Sequence, residues 1–274
     1  MPISASSPDG EAMAELTLQI QNANGEVLAE STGEDRVELR YLPVYNEGDQ
    51  IVLTCSEHPV HLFWQVDAAV SGSLCYLTKD MTYRIPFGDR KKVYSPAAFS
   101  GERHFIFARV AEDWELHSYR NLAVNTVDQH RVEGCYPHAN ANVETRGESV
   151  FEAKNAIDGI YGNHNHGNWP YASWGINRDP SACLTLDFGR PVWTDRLGIC
   201  LRADFPHDSY WTEGTVTFSD GSTEVLQFQK TDRCQYFTIA PRTVSWLTFD
   251  KLIKADDESP FPALTQIEVW GKDL

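Results

Sequence analysis

The chain has 274 residues, with 23 Lys and Arg against 39 Asp and Glu, for a net charge of −16. Nucleic-acid affinity comes mostly from clustered Lys and Arg, so this balance argues against a phosphate-backbone binder and against docking on an anionic membrane surface. Hydrophobic residues make up 42%, which supplies ordinary cores and excludes wholesale disorder.

Residues 1–12 are rich in Ser, Pro, Asp and Gly and read as a leader. Strand patterns follow. Leu16, Leu18 and Ile20 alternate with polar residues before the turn Asn22–Gly25. Val37–Tyr41, Ile51–Cys55, His61–Val66, Cys75–Leu77, Met81–Ile85 and His104–Val110 continue the series. Short strands without a long 3.6-residue period predict a β-sandwich over residues 13–130, of unknown role. Within it, Arg84, Arg90, Lys91 and Lys92 form the one basic concentration and read as a solvated hairpin tip or a contact for an acidic surface. The pattern loosens between Asn121 and Tyr136, which places a domain boundary near 130.

The second half is strand-rich as well. Its runs are Leu184–Phe188, Arg196–Arg202, Gly214–Phe218, Glu224–Phe228, Gln235–Ile239, Val244–Phe249 and Leu264–Trp270. Ser219-Asp-Gly-Ser222 is a strong hairpin turn, and a short helical turn is expected near Ser149–Ala156. The fold class expected is therefore all-β, with two β-sandwich domains. No stretch approaches eighteen apolar residues, so no membrane-spanning helix is expected.

The six cysteines form no Cys-x-x-Cys pair and match no zinc spacing. The N-terminus has no basic, then apolar, signal-peptide pattern. The cysteines then read as reduced thiols of a cytoplasmic protein, with Cys183 and Cys200 as small core residues. An extracellular location follows instead if a leader has been removed.

Several pieces of the second half occur in a familiar order: Lys154-Asn-Ala-Ile-Asp-Gly159, Ala172-Ser-Trp174, Leu184-Thr-Leu-Asp-Phe-Gly189, Gly214-Thr-Val-Thr-Phe-Ser-Asp-Gly221 and Ile267-Glu-Val-Trp-Gly271. Residues 135–274 thereby resemble discoidin-like domains, also called coagulation-factor type C or galactose-binding-like domains, a fold shared by bacterial carbohydrate-binding modules. The resemblance implies an antiparallel jelly roll with its ligand site in the loops at one end. It also implies a structural calcium held by Asp158 and Glu268; since calcium wants six to eight hard oxygens, Asn155, Ala156 and Asn163 are the neighbours expected to supply more. The alternative for Asp158 is simply to cap the Asp-Gly turn.

Two loop clusters carry the expected chemistry. Gly162–Asn177 packs His164, His166, Asn168, Trp169, Tyr171 and Trp174 between chain breakers. Arg202–Trp211 offers Arg202, Asp204, His207, Asp208, Tyr210 and Trp211. Sugars are recognised by an aromatic face against C–H groups and by convergent hydrogen bonds to hydroxyls. The expected ligand is thus a carbohydrate, held without catalysis by His164, His166, Asn168, Trp169, Arg202, Asp204, His207 and Trp211. Trp174 and Trp211 also read as core residues. Two alternatives stay open: a glycan-active enzyme using Asp204, His207 and Asp208, and a protein–protein interaction module. No nucleophile elbow, Walker loop or dinucleotide fingerprint occurs.

Overall fold

The computed structural model describes residues 13–202 and 209–274. Its first half runs β1 (Glu15–Gln21), β2 (Val27–Glu34), β3 (Arg36–Tyr41), β4 (Gln50–Cys55), β5 (Val60–Gln65), β6 (Ser73–Leu77), β7 (Met81–Arg84), β8 (His104–Val110) and a short helix α1 (Asp113–His117). Then come β9 (Arg120–Asn121), β10 (Cys135–Tyr136), β11 (His138–Ala141), β12 (Trp174–Gly175), β13 (Leu184–Leu201), β14 (Trp211–Phe218), β15 (Thr223–Gln227), β16 (Gln235–Lys254) and β17 (Ala263–Asp273). The protein is all-β, and among the described residues no helix is long and apolar enough to cross a membrane.

Two sheets, ordered β2-β1-β4-β7 and β10-β6-β5-β8-β3, pack face to face over the first core. The alternation read in β1 is real, since Leu16, Leu18 and Ile20 are fully buried. β2 is the longest strand that the sequence pattern missed. It is an edge strand with no fully buried side chain, so no apolar alternation marks it. Its hairpin is set by Asn22, whose Oδ1 accepts from the backbone N–H of Asn24 (2.9 Å) and Glu26 (3.0 Å), and by Gly25 at φ +81°.

The third sheet is ordered β12-β17-β13-β16-β14-β15, with β11 added against β13 and β9 against β17. All its pairings are antiparallel. Four runs that read as separate strands are two long ones, β13 and β16. Each continues through register breaks, at Asp187/Val192 and Thr194/Arg196 in β13, and so bends around the second core. Trp174, Phe188, Phe218 and Phe249 fill that core. The helical turn expected near 149–156 is present as 3-10 turns over Ser149–Phe151 and Ala153–Ile157.

The two cores interlock where the chain passes between them. Leu122 and Ala123 belong to the second core, while Val127 and Cys135 belong to the first. Arg84, Arg90 and Lys92 of the basic segment are exposed to solvent, but the segment is not a hairpin tip. It forms a 3-10 turn, Gly88–Val93, that docks on the second half. The Ser149 N–H donates to the Asp89 carboxylate (3.0 Å) and the Trp169 N–H to the Lys92 carbonyl (2.7 Å). Val93 is buried with Val150, Phe151 and Ala172, a contact that contributes about 1.5–3 kcal/mol on the usual scale for burying such a side chain. Near the C-terminus, Asp273 joins Arg120 and Arg190 and lies 3.7 Å from His61 of β5.

Cys200 and Cys234 are joined in a disulfide, which corrects the reading of all six cysteines as reduced. The chain bends that bring β13 beside the start of β16 place these two residues together, and spacing along the sequence carries no trace of that pairing. Cys55, Cys75, Cys135 and Cys183 are free thiols.

Candidate functional site

A cavity of about 540 Å³ opens at one end of the third sheet. Thr145 and Arg146 line it, as do Phe151, His166, the segment 175–178, Arg202 and the segment 258–263. Its lip is built from backbone that most residues avoid. Arg146, Asn177 and Arg178 have φ of 55°, 50° and 61°, in the left-handed region. Each costs on the order of 1 kcal/mol or more, and such residues cluster where a surface must be held in one shape. The reason is visible locally. The Thr145 hydroxyl accepts the Asn177 N–H at 2.9 Å, clamping the two lip strands together. Gly175 lies beneath this clamp, where an added Cβ would sit 2.7 Å from the Thr145 hydroxyl oxygen.

The cavity mixes apolar rings, Phe151 and Phe261, with several polar groups. Phe261 is 39% exposed, and the Arg178 guanidinium lies over its ring at 4.3 Å from the centroid. Arg146 pairs with Glu148 through Nε (2.6 Å) and Nη2 (2.9 Å), which aims a planar fork along the rim. Glu258 and His166 are exposed at the same opening. Arg202 is different: it is buried, and its Nη2 donates to the Phe261 carbonyl at 2.6 Å. Arg202 therefore positions the segment carrying Phe261. A second cavity of about 300 Å³ adjoins this one, sharing Ile176, Arg178, Glu258 and Pro260.

Of the six expected ligand-binding residues that are described, only His166 and Arg202 line this cavity. Trp169 lies 39% exposed on another cavity, of about 430 Å³, between the two halves, with Tyr94, Lys154, Asp158 and Tyr161. The bond from its N–H to the Lys92 carbonyl draws it there, away from His166 three residues earlier. Asn168 and His164 are exposed, and His164 Nε2 lies 3.6 Å from the Asp232 carboxylate. Trp211 is not a loop residue: it opens β14 and is fully buried, 6.3 Å from Trp174 and 6.1 Å from Phe249 between ring centroids. Asp204, His207 and Asp208 lie outside the described residues. Sequence reasoning passed over Arg146, Arg178, Glu258 and Phe261. The one available signal was Pro260-Phe-Pro262, which restricts the backbone on both sides of an aromatic just before β17.

The set expected to hold calcium does not fit that ion. Calcium takes six to eight oxygens, and here Asp158 and Glu268 each already accept two protein hydrogen bonds. Glu268 accepts from the Tyr161 hydroxyl (2.7 Å) and from the Trp270 indole N–H (2.6 Å), one on each oxygen. Asp158 Oδ1 accepts from the Ile160 N–H and from Gln266 Nε2, both at 2.8 Å. Asn163 turns its donor nitrogen to the Leu201 carbonyl at 3.2 Å. Burial pushes the Asp158 carboxyl up to about 7, against the pull of the Ile160 N–H, Lys154 and Gln266. Beside Glu268, both sulfurs of the nearest cysteines are consumed by the Cys200–Cys234 disulfide.

Solved structures similar to about half of this chain are carbohydrate-binding modules. A chitosan-binding module of a chitosanase/glucanase from Paenibacillus sp. IK-5 is 18% identical, covers 56% of this chain and 99% of its own, and superposes with a TM-score of 0.39. A fucose-binding module from Streptococcus pneumoniae is 11% identical over 56% of this chain and 99% of its own, with a TM-score of 0.41. A family 32 carbohydrate-binding module from C. perfringens, in complex with galactose, is 16% identical over 48% and 91%, with a TM-score of 0.36. No family model and no curated protein matches the chain.

Proposed function

We propose that the protein binds a carbohydrate, without catalysis, in the loop-end cavity lined by Arg146, Asn177, Arg178, Glu258 and Phe261. One observation carries this reading: a half-exposed aromatic ring and several charged or amide side chains face one opening whose backbone is held in a strained shape. An apolar ring suits sugar C–H faces, and Arg, Asn and Glu suit its hydroxyls. The modules of similar shape are described with chitosan, fucose and galactose; the reading here stands on the cavity.

The same reading treats the chain as two β-sandwich domains, the second discoidin-like; the presence of two cores supports it, with residues 122–135 crossing between them in place of a clean boundary at 130. The Cys200–Cys234 disulfide supports a place in an oxidising compartment over the cytoplasm. The deciding experiment is a glycan array followed by titration of any hit against Arg178→Ala and Phe261→Ala. Binding that both variants weaken supports the cavity. Binding that neither variant changes, or an array with no hit, removes it.

A further inference from the structure

The turn that was expected to hold a cation holds a side-chain amide in its place. Gln266, on β17, is 1% exposed. Three oxygens converge on its Nε2: the Asn155 carbonyl at 2.8 Å, Asp158 Oδ1 at 2.8 Å and the Thr265 carbonyl at 2.6 Å. A primary amide nitrogen carries two hydrogens, so three close acceptors exceed what it can serve with straight bonds. The orientation of the amide is set independently, because its Oε1 accepts the Gly159 N–H at 3.0 Å.

A point ringed by two backbone carbonyls and a carboxylate oxygen is what a hard cation selects. The rest of the turn is fixed around it. Asn155 is fully buried, its Nδ2 donating to the Ser149 carbonyl at 2.8 Å, and the Ile157 carbonyl accepts the Asn125 N–H at 2.8 Å. The oxygens therefore do not converge because the loop is loose. They converge because the backbone on both sides is pinned.

We propose that Gln266 is a built-in replacement for a divalent cation: its amide closes the Asn155–Gly159 turn onto β17, makes this fold independent of calcium, and leaves position 266 as one at which a carboxylate would create a calcium site. In Gln266→Glu, the new carboxylate would face Asp158 Oδ1 and the two carbonyls. Without a cation the two carboxylates repel. With calcium the same oxygens, completed by water, approach the coordination that the ion needs.

The test is thermal melting of the full chain in millimolar calcium and in chelator, for the wild type and for Gln266→Glu. The wild type should melt at one temperature in both buffers. Gln266→Glu should melt lower in chelator and rise by about 5 °C or more with calcium. A calcium-dependent rise in the wild type overturns the proposal. So does a Gln266→Glu chain that melts alike in both buffers or folds in neither.

Discussion

The loop-end cavity and the cavity between the halves are lined from one loop, residues 162–173, yet their polar groups are differently employed. In the cavity between the halves, they are absorbed by the fold. Asp128 meets His138 at 2.7 Å and the Ala139 N–H at 3.0 Å, Asn125 donates to the Pro137 carbonyl at 2.8 Å, and Asp158 is held by Ile160 and Gln266. At the loop end, Arg146, Asn177, Arg178 and Glu258 stand exposed around a half-exposed ring, the first three on strained backbone. A cavity whose polar groups are buried in bonds to the fold is a seam, and one whose polar groups stand exposed at the opening is a receptor. Depth and volume alone do not separate the two.

Trp211→Ala should have the largest effect. It removes a fully buried ring from the core beneath the loop end, so denaturant unfolding should show a loss of about 3–5 kcal/mol. A loss below half of that would mean that the ring is not part of the core.

Asp273→Asn comes next and strikes the contact that ties β17 to β9, β13 and His61 of β5, away from the loop end. Burial by itself would raise the Asp273 carboxyl, but His61, Arg190 and Arg120 overcome it and hold the group well below the usual carboxylate range. Leaving the arginines without their charge partner should cost about 3 kcal/mol at neutral pH. Because the folded pKa is depressed, this stabilisation is present above the unfolded value of about 4 and is lost as pH falls below it. The variant should therefore show a flatter stability profile at acid pH than the wild type. Unchanged glycan affinity in this variant would sharpen the division between structural contact and receptor.

Phe261→Ala and Arg178→Ala should each weaken glycan binding about tenfold or more, equivalent to about 1.4 kcal/mol, with little change in melting temperature. Calorimetry on an array hit reads this directly, and a loss confined to stability would break the receptor reading. Trp169→Ala should have the smallest effect, within about 0.5 kcal/mol of wild-type stability and with affinity unchanged. A large loss of affinity there would move the ligand to the seam and reverse the comparison.

How much of this was legible in the sequence depended on whether a residue's task is local. Alternation marked β1 and β3 because each buried residue answers to a neighbour two positions away. β2 gave no such mark, since an edge strand buries nothing fully. The Asp158-Gly159 turn and the 3-10 turns before it were readable from short-range chemistry. Gln266 was not, because its meaning lies in oxygens more than a hundred residues earlier in the chain. The pairing of Cys200 with Cys234 was hidden for the same reason.

By itself, then, the sequence determined an all-β chain, acidic throughout, with its strands and tight turns nearly in place, because strand period and turn chemistry act over a few residues. Only the tertiary structure decided which loop residues share an opening. It sent Trp169 to the seam and Trp211 to the core, brought Arg146, Arg178 and Phe261 to one rim, and set an amide where a cation was expected. Those outcomes depend on contacts between distant segments, and no local pattern carries them.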